Sequence, residues 1–377
     1  MKALQICSFY AVNDLYKNLF KELNNIGIES DIYIPCRPKN IPNNIVKNEI
    51  YSGVYKNGDR IYEKFINIFN QYVFYKKNND IYKDLKKKVK INQYNIIHAH
   101  SLFENGYLAY NAKKEYGIEY IVAIRNTDVN GYFKRAKHLK KIGIEIMKNA
   151  KKIIFISPSY RDFVINNFIK ECDKENIINK SEVIPNGIDD FWINNISIDK
   201  RNLINKGEVH LVQACRIDKN KNVSTSIEIA KKLREDGINS FIKIIGDGDE
   251  KKLLLEKYAD LHYVSFEEKA SKYELKKYYD NSDILIMPSK NETFGLVYPE
   301  AMSRGLPIIY TRNQGFDKYF ADGEVGYPIT YNDVEEGAWV VKNILDNYEY
   351  ISSNCIKNSG LFSWKKISKE YKKIYLN

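Results

Sequence analysis

The sequence predicts an α/β protein built from two doubly wound domains, and three observations carry that prediction. Short Ile- and Val-rich runs alternate with helix-period segments from end to end. The runs fall into two sets, separated by the turn-forming stretch IPNGIDDFWINN at 184–195. The chain has 377 residues, enough for two domains of about 100–200 residues each. Apolar runs bounded by turn signals fit strands buried on both faces of a parallel sheet. Their alternation with helices implies helices on both sides of each sheet.

In the first half the expected strands are ALQICS, DIYIP, NIIHAH, YIVAIR, KIIFIS and EVIPN. In the second they are VHLVQAC, SFIKIIG, LHYVSF, DILIMPS and PIIYT. Between them lie helical patterns such as TSIEIAKKLREDG, closed by Gly237 as a C-cap. Pro185, Asn186 and Gly187 form turns, and polar sequence follows to about Gly207. The expected division is 1–192 for the first domain, with a closing helix at 361–377, and 193–360 for the second. That closing segment, FSWKKISKEYKKIYLN, places Trp364, Ile367, Tyr371 and Ile374 on one face.

Composition narrows the class. Five scattered cysteines without metal or redox spacing read as reduced thiols. The N-terminus has too short an apolar run for a signal peptide, and no run spans a bilayer. A cytoplasmic protein is expected. The net charge is +11, and residues 1–190 carry 31 Lys and Arg against 21 Asp and Glu. A basic surface attracts anionic membranes or substrates; a solvated lysine-rich face is the plain alternative. Two basic segments stand out. In 60–90 an apolar stripe (Ile61, Phe65, Ile68, Phe69, Tyr72, Val73) precedes Lys83, Lys86, Lys87, Lys88 and Lys90. In 132–149, Lys134, Arg135, Lys137, Lys140 and Lys141 precede an apolar run. Such stripes are more often core than membrane-binding.

Four stretches carry candidate chemistry. NETFGLVYPEAMSRGLPII, 291–309, reads as strand, turn, helix, strand. Thr293, Phe294, Gly295 and Leu296 would offer unpaired amides to an anion. Glu292 and Glu300 beside them suit the hydroxyls of a sugar or ribose. In ACRIDKNKNV, Arg216 and Lys221 leave a strand's carboxyl end, where open α/β sheets bind ligands; two cations there could neutralise a diphosphate. In IIGDGDE, Gly246 and Gly248 mark a tight turn, short of a full dinucleotide fingerprint. In NIIHAHS and YIVAIRNTD, His98 and His100 share a strand face, and Arg125, Asn126, Thr127 and Asp128 end the next strand. These groups are expected to face an inter-domain cleft. A His-x-His pair alone is a poor zinc site.

Together these pieces resemble a retaining GT-B glycosyltransferase of the family-four type. Glu292 and Glu300 match its Glu-x7-Glu motif, and Arg216 and Lys221 match its phosphate-binding pair. IPNGID, IIGDGDE, DGEVGY and FSWKKISKEY also fit, and the resemblance covers most of 95–377. It implies two Rossmann-like domains facing each other across a cleft, with the last helix crossing back to the first. It further implies a nucleotide diphosphate sugar on the second domain, UDP-linked first and GDP-mannose second, with acceptor on the first. Glu300 would then hold the ribose and Glu292 the sugar hydroxyls. The Phe294 and Gly295 amides would take a phosphate, with Gly246 and Phe266 also on the donor side. Arg216 and Lys221 would stabilise the leaving diphosphate. Ser8, His100, Arg125, Asn126 and Asp128 would lie on the acceptor or sugar side. The acceptor would be a glycan or lipid-linked glycan of the cell surface, with the basic first domain against the inner membrane. No cofactor, metal or nucleic acid is expected. The sequence departs from the family in two places: the loop SFYAVND lacks glycine, and Asn126 stands where many relatives have histidine. The competing readings are a non-catalytic nucleotide-sugar-binding partner and a GT-B sugar-nucleotide epimerase.

Overall fold

The computed structural model describes residues 1–10, 14–36, 48–52, 71–197 and 207–377. Ile61, Phe65, Ile68 and Phe69 of the expected apolar stripe lie outside them, as do residues 11–13 of the first loop. The chain divides into two compact units: Met1–Ile156, Tyr160–Gly187 and Trp364–Asn377 form one, Ser157–Ser159 and Ile188–Ser363 the other. The division falls at 187/188 and 363/364 rather than at 192/193 and 360/361. Ile188 explains the shift. It bridges to Ser363 and its amide donates to the Phe362 carbonyl at 2.9 Å. Trp192 packs on Tyr279 in the same unit.

The first unit holds a seven-stranded parallel sheet in the order β3-β2-β1-β4-β5-β6-β7. Its strands are β1 Lys2–Ile6, β2 Glu29–Ile34, β3 Glu49–Tyr51, β4 Ile96–Ala99, β5 Tyr120–Ile124, β6 Lys152–Phe155 and β7 Ser181–Val183. Every pairing is parallel. Two-residue periodicity sorts the strand side chains between two cores. Leu4, Ile6, Ile97, Ala99 and Val122 pack on one face, with residues of α2 (Gln71–Lys88), α3 (Glu104–Tyr116) and α4 (Lys140–Asn149). Ala3, Cys7, Ile96 and Ile121 pack on the other. There they meet α1 (Asp14–Asn25) and the closing helix, Trp364–Leu376. The closing helix buries Trp364, Ile367, Tyr371 and Tyr375. Its stripe therefore runs through Tyr375, and Ile374 is only partly buried. A spacing of three, four and four tracks the 3.6-residue turn.

The second unit holds a six-stranded parallel sheet, order β10-β9-β8-β11-β12-β13. Its strands are β8 Glu208–Ala214, β9 Asn239–Ile245, β10 Val264–Glu267, β11 Ile284–Ile286, β12 Ile308–Thr311 and β13 Gly326–Ile329. All eleven expected strands are present; β3 and β13 were not anticipated. β3 is three residues long and half-buried, and β13 carries Gly326 and Pro328, which read as turn signals. Both are edge strands, where proline is tolerated. Among the described residues, no helix is long and apolar enough to cross a membrane.

Candidate active site

In the second sheet the strand order reverses between β8 and β11. A crevice at the carboxyl ends of two such strands is where open α/β sheets take ligands. The loops leaving these strands, 215–222 and 287–296, are laced together by Asn220. Its carbonyl accepts from the Lys290 amide at 2.8 Å. Its side-chain Nδ2 donates to the Asn291 carbonyl at 2.9 Å, and its Oδ1 accepts from the Asn291 amide at 3.1 Å. Asp218 shapes the first loop, its Oδ1 accepting from the Asn220 and Lys221 amides.

That lacing brings two sequence candidates into contact. The Lys221 ammonium lies 2.6 Å from the Glu292 carboxylate, in a pair only 22% and 12% exposed. Glu292 is held on three sides. Its other oxygen accepts from the Thr293 amide at 3.1 Å, its own amide donates to Gln314 Oε1 at 3.0 Å, and its carbonyl accepts from the Gly315 amide at 2.7 Å. From below, buried Gln213 donates to the Lys221 carbonyl at 2.8 Å. Arg216, by contrast, is exposed: its guanidinium is 3.0 Å from Asp249 and 3.8 Å from Asp218. Asp249 belongs to the tight turn after β9. Gly246 has φ +146° there, and a Cβ on it would sit 1.9 Å from the Cys215 carbonyl oxygen. Only glycine lets this turn close onto the β8 loop. Phe266 is half-buried on β10, the edge strand beyond it.

The turn 293–296 leads into a short helix, Val297–Met302. Gly295 has φ +80°, and a Cβ would strike the Tyr298 ring at 2.3 Å. The Phe294 side chain is buried against Phe316, Tyr319 and Phe362, so only its backbone is available to a ligand. Thr293 and Leu296 are half-buried. Glu300 is also half-buried, beside Trp192 and Asp189. Burial pushes its carboxyl up to about 8; the Asp189 charge adds to this, and the Trp192 indole, donating to the carboxylate, opposes it. Asp189 itself is paired with Lys272 at 2.9 Å.

In the first unit the expected residues separate into enclosed and accessible groups. His98 and His100 are fully buried, which corrects the expectation that they face a cleft. The closing helix covers them: the Tyr375 hydroxyl is 2.7 Å from His98 Nδ1, and His100 Nε2 is 2.9 Å from Gln5 Oε1. His100 also packs on Tyr16 and Phe20. It therefore presents nothing to a ligand. Asp128 is buried too, accepting from the backbone amides of Leu102, Phe103 and Arg125 at 2.8–3.1 Å. Burial lifts its carboxyl to about 6 against those three bonds. Its place is structural: it ties the ends of β4 and β5. Arg125 is 8% exposed, bonded to the His100 carbonyl and to Asn186 Oδ1. Ser8 donates to Asn105 Oδ1 at 2.6 Å. Asn126 is exposed and accepts from Asn130 across a π-helical turn, Thr127–Phe133. Such turns are frequent at functional sites.

Sequence reasoning passed over Asn220, Gln314, Asp249 and Trp192. Asn220 had a local signal, an Asn in a polar loop leaving a strand end. Gln314 and Trp192 reach the site through tertiary packing alone.

Two family models cover most of the chain: Glycosyltransferase Family 4 over residues 13–190 and Glycosyl transferases group 1 over 194–360. The chain belongs to the GT-B glycosyltransferases of this group. An uncharacterized glycosyltransferase of Methanocaldococcus jannaschii is 24% identical over 314 residues, covering 78% of each chain. The solved sucrose-phosphate synthase of Thermosynechococcus elongatus superposes with TM-score 0.75 at 17% identity, over 100% of this chain and 98% of that one. An Anabaena protein solved with UDP matches with TM-score 0.67 at 14% identity, over 99% of both. At these identities the structural likenesses establish the fold. This glycosyltransferase keeps both halves of the GT-B architecture, each with its own parallel sheet.

Proposed function

We propose that this glycosyltransferase moves a sugar, with retention, from a nucleotide diphosphate donor to a glycan or lipid-linked glycan of the cell surface. UDP sugars are the first donor class and GDP-mannose the second. The observation that carries the reading is the laced pair of loops at the β8/β11 switch, which joins Lys221 to Glu292 and sets Arg216 alongside. In the structure each cation rests on a carboxylate. A bound diphosphate would take over Lys221 and Arg216, freeing Glu292 to accept from donor-sugar hydroxyls. The amides around Phe294 and Gly295 would approach a phosphate, and Glu300 would accept from the ribose. Gly246 and Phe266 would flank the nucleotide.

In the transfer the bond between the anomeric carbon and the diphosphate oxygen breaks. The acceptor oxygen bonds to that carbon on the same face, and the acceptor proton passes to the departing phosphate oxygen. Negative charge grows on the leaving group, and the cations stabilise it more in the transition state than in the ground state. They supply what a divalent metal supplies elsewhere, so metal independence is part of the proposal. Ser8, Arg125 and Asn126 are the first-unit groups assigned to the acceptor or sugar side.

A cytoplasmic enzyme resting on an anionic membrane completes the reading. Lys134, Arg135, Lys137 and Lys141 are exposed and support it. Lys86 pairs with Glu115, and Lys88 donates to the Tyr51 and Ser52 carbonyls, so those two are already engaged within the fold.

The test is transfer by purified protein from UDP sugars and GDP-mannose, with and without EDTA, followed by NMR of the product anomer. Retained configuration and full activity in EDTA are expected. An inverted product, or loss of activity restored by a divalent ion, would overturn the respective part.

A further inference from the structure

The second unit carries another cavity, about 710 Å³ in volume, lined by the lower halves of β8, β9 and β10 and by the helix Lys272–Asp280. Roughly 300–1,000 Å³ is usual for small-ligand sites. On one face of β9, Ser240, Ile242 and Ile244 are buried, and Ser240 donates to the Ala230 carbonyl of the helix Val223–Glu235. The opposite face points into the cavity, and the edge strand β10 is half-exposed throughout.

A row of rings crosses that open face. His210 and Phe241 are register partners on neighbouring strands, stacked at 5.1 Å with their planes 12° apart. Tyr263 immediately precedes Val264, the partner of Ile242, and so stands beside Phe241. The Arg234 guanidinium props the row from one end, 5.5 Å from the Phe241 ring and 4.7 Å from the Tyr263 ring. Two residues further up β9, Lys243 points the same way, 3.6 Å from Glu267 and 5.2 Å from the Tyr278 ring centre. Glu274 and Lys277 stand on the helical wall.

We infer that this cavity is a second carbohydrate site, which holds a segment of an oligosaccharide chain away from the donor loops. The half-buried rings of His210 and Phe241 give an apolar strip for the C–H groups of pyranoses. Donors and acceptors mixed around the rim suit hydroxyls, which do both. Carboxylates in and beside the lining disfavour a phosphate or nucleotide, and the balanced charge suits a neutral sugar. His210 lies four residues before the carboxyl end of β8, about 13 Å down the strand from the donor loops, so its occupant is not the donor. The inference uses the glycosyltransferase reading only to name the occupant.

The histidines are the reporters. Of the five in the chain, His210 and His262 line the cavity, whereas His98 and His100 are buried in the other unit. The full-length protein is titrated with di- to tetrasaccharides of glucose, galactose and N-acetylglucosamine while imidazole resonances are followed. At least one oligosaccharide is expected to shift His210 and His262 but not His98 or His100. Phe241→Leu and Lys243→Ala are each expected to weaken that binding about tenfold and to leave the UDP-induced rise in melting temperature unchanged. The inference fails if no oligosaccharide moves the two signals, if both variants bind as tightly as the parent, or if inorganic phosphate or UDP moves the signals instead. A protein that shows no shift with UDP sugars or GDP-mannose but binds sugar here would refute the donor reading and leave this one standing.

Discussion

At the residue scale, the Lys221–Glu292 pair shows why isolated candidates gained meaning in the fold. Each is an ordinary residue of a polar loop, and the sequence motif assigns them separate partners. The structure makes them one ion pair, with Gln213, Gln314 and Gly315 holding its backbone. Lys221→Ala and Glu292→Ala should therefore each lower kcat/KM by roughly 100- to 1,000-fold, the usual cost of removing a placed electrostatic group. Steady-state kinetics with melting temperature as a folding control checks this; a loss under tenfold in both would remove the pair from catalysis. Glu300 supports a pH prediction. Burial pushes its carboxyl up to about 8, whereas accepting ribose hydroxyls favours the ionised form. Donor affinity should rise with pH up to about 8, at most tenfold per unit, and then level off, with a proton released on binding below pH 8. The same shift means the folded state binds the extra proton between pH 4.5 and 8, so Glu300 costs stability as pH rises through that window. Calorimetry in buffers of different ionisation enthalpy reads the proton, and Glu300→Gln should abolish both slope and release.

At the element scale, the eleven expected strands were legible because parallel strands buried on both faces are continuous apolar runs. The strands β3 and β13 were not, being short, half-polar or carrying glycine and proline at an edge. The closing helix was legible as a stripe, and its true register through Tyr375 follows from what that hydroxyl meets, which no periodicity encodes. It bonds His98 Nδ1 and accepts from Gln5 Nε2 at 3.3 Å. His98 and His100 misled for a related reason. Placing them at a strand's carboxyl end was right, but the helix that covers them lies more than 260 residues away in sequence. Trp364→Ala should cost about 3–5 kcal/mol, the range for emptying a large core site. Tyr375→Phe should cost about 1–3 kcal/mol by orphaning buried partners. Urea denaturation separates the two, and equal, negligible costs would show the helix to be peripheral.

At the scale of the whole molecule, buried titratable groups set how the protein meets acid. Burial and the Arg125 charge drive His98 down to about 3 and His100 well below its usual value. Both are neutral when folded and protonate once unfolded, so their contribution to stability is intact above pH 6.5 and is lost as pH falls below it. Asp128, lifted to about 6, and Glu300 act in the opposite sense. The difference between parent and variant isolates the histidine: His98→Gln should make the acid limb of the stability curve shallower by about 1.4 kcal/mol per pH unit between 6.5 and 4. The family, the two sheets and the order of motifs all point to one central claim, that the second unit binds a nucleotide diphosphate sugar through the loops leaving β8 and β11. The most direct test is a melting-temperature screen of UDP sugars and GDP-mannose on the parent, Arg216→Ala, Lys221→Ala and Glu300→Gln proteins. One donor class should raise the parent's melting temperature, by about 2.7 kcal/mol of added stability at a hundred times its Kd, and the rise should shrink in all three variants. A parent that responds to no nucleotide sugar, or variants that respond as the parent does, would contradict the account.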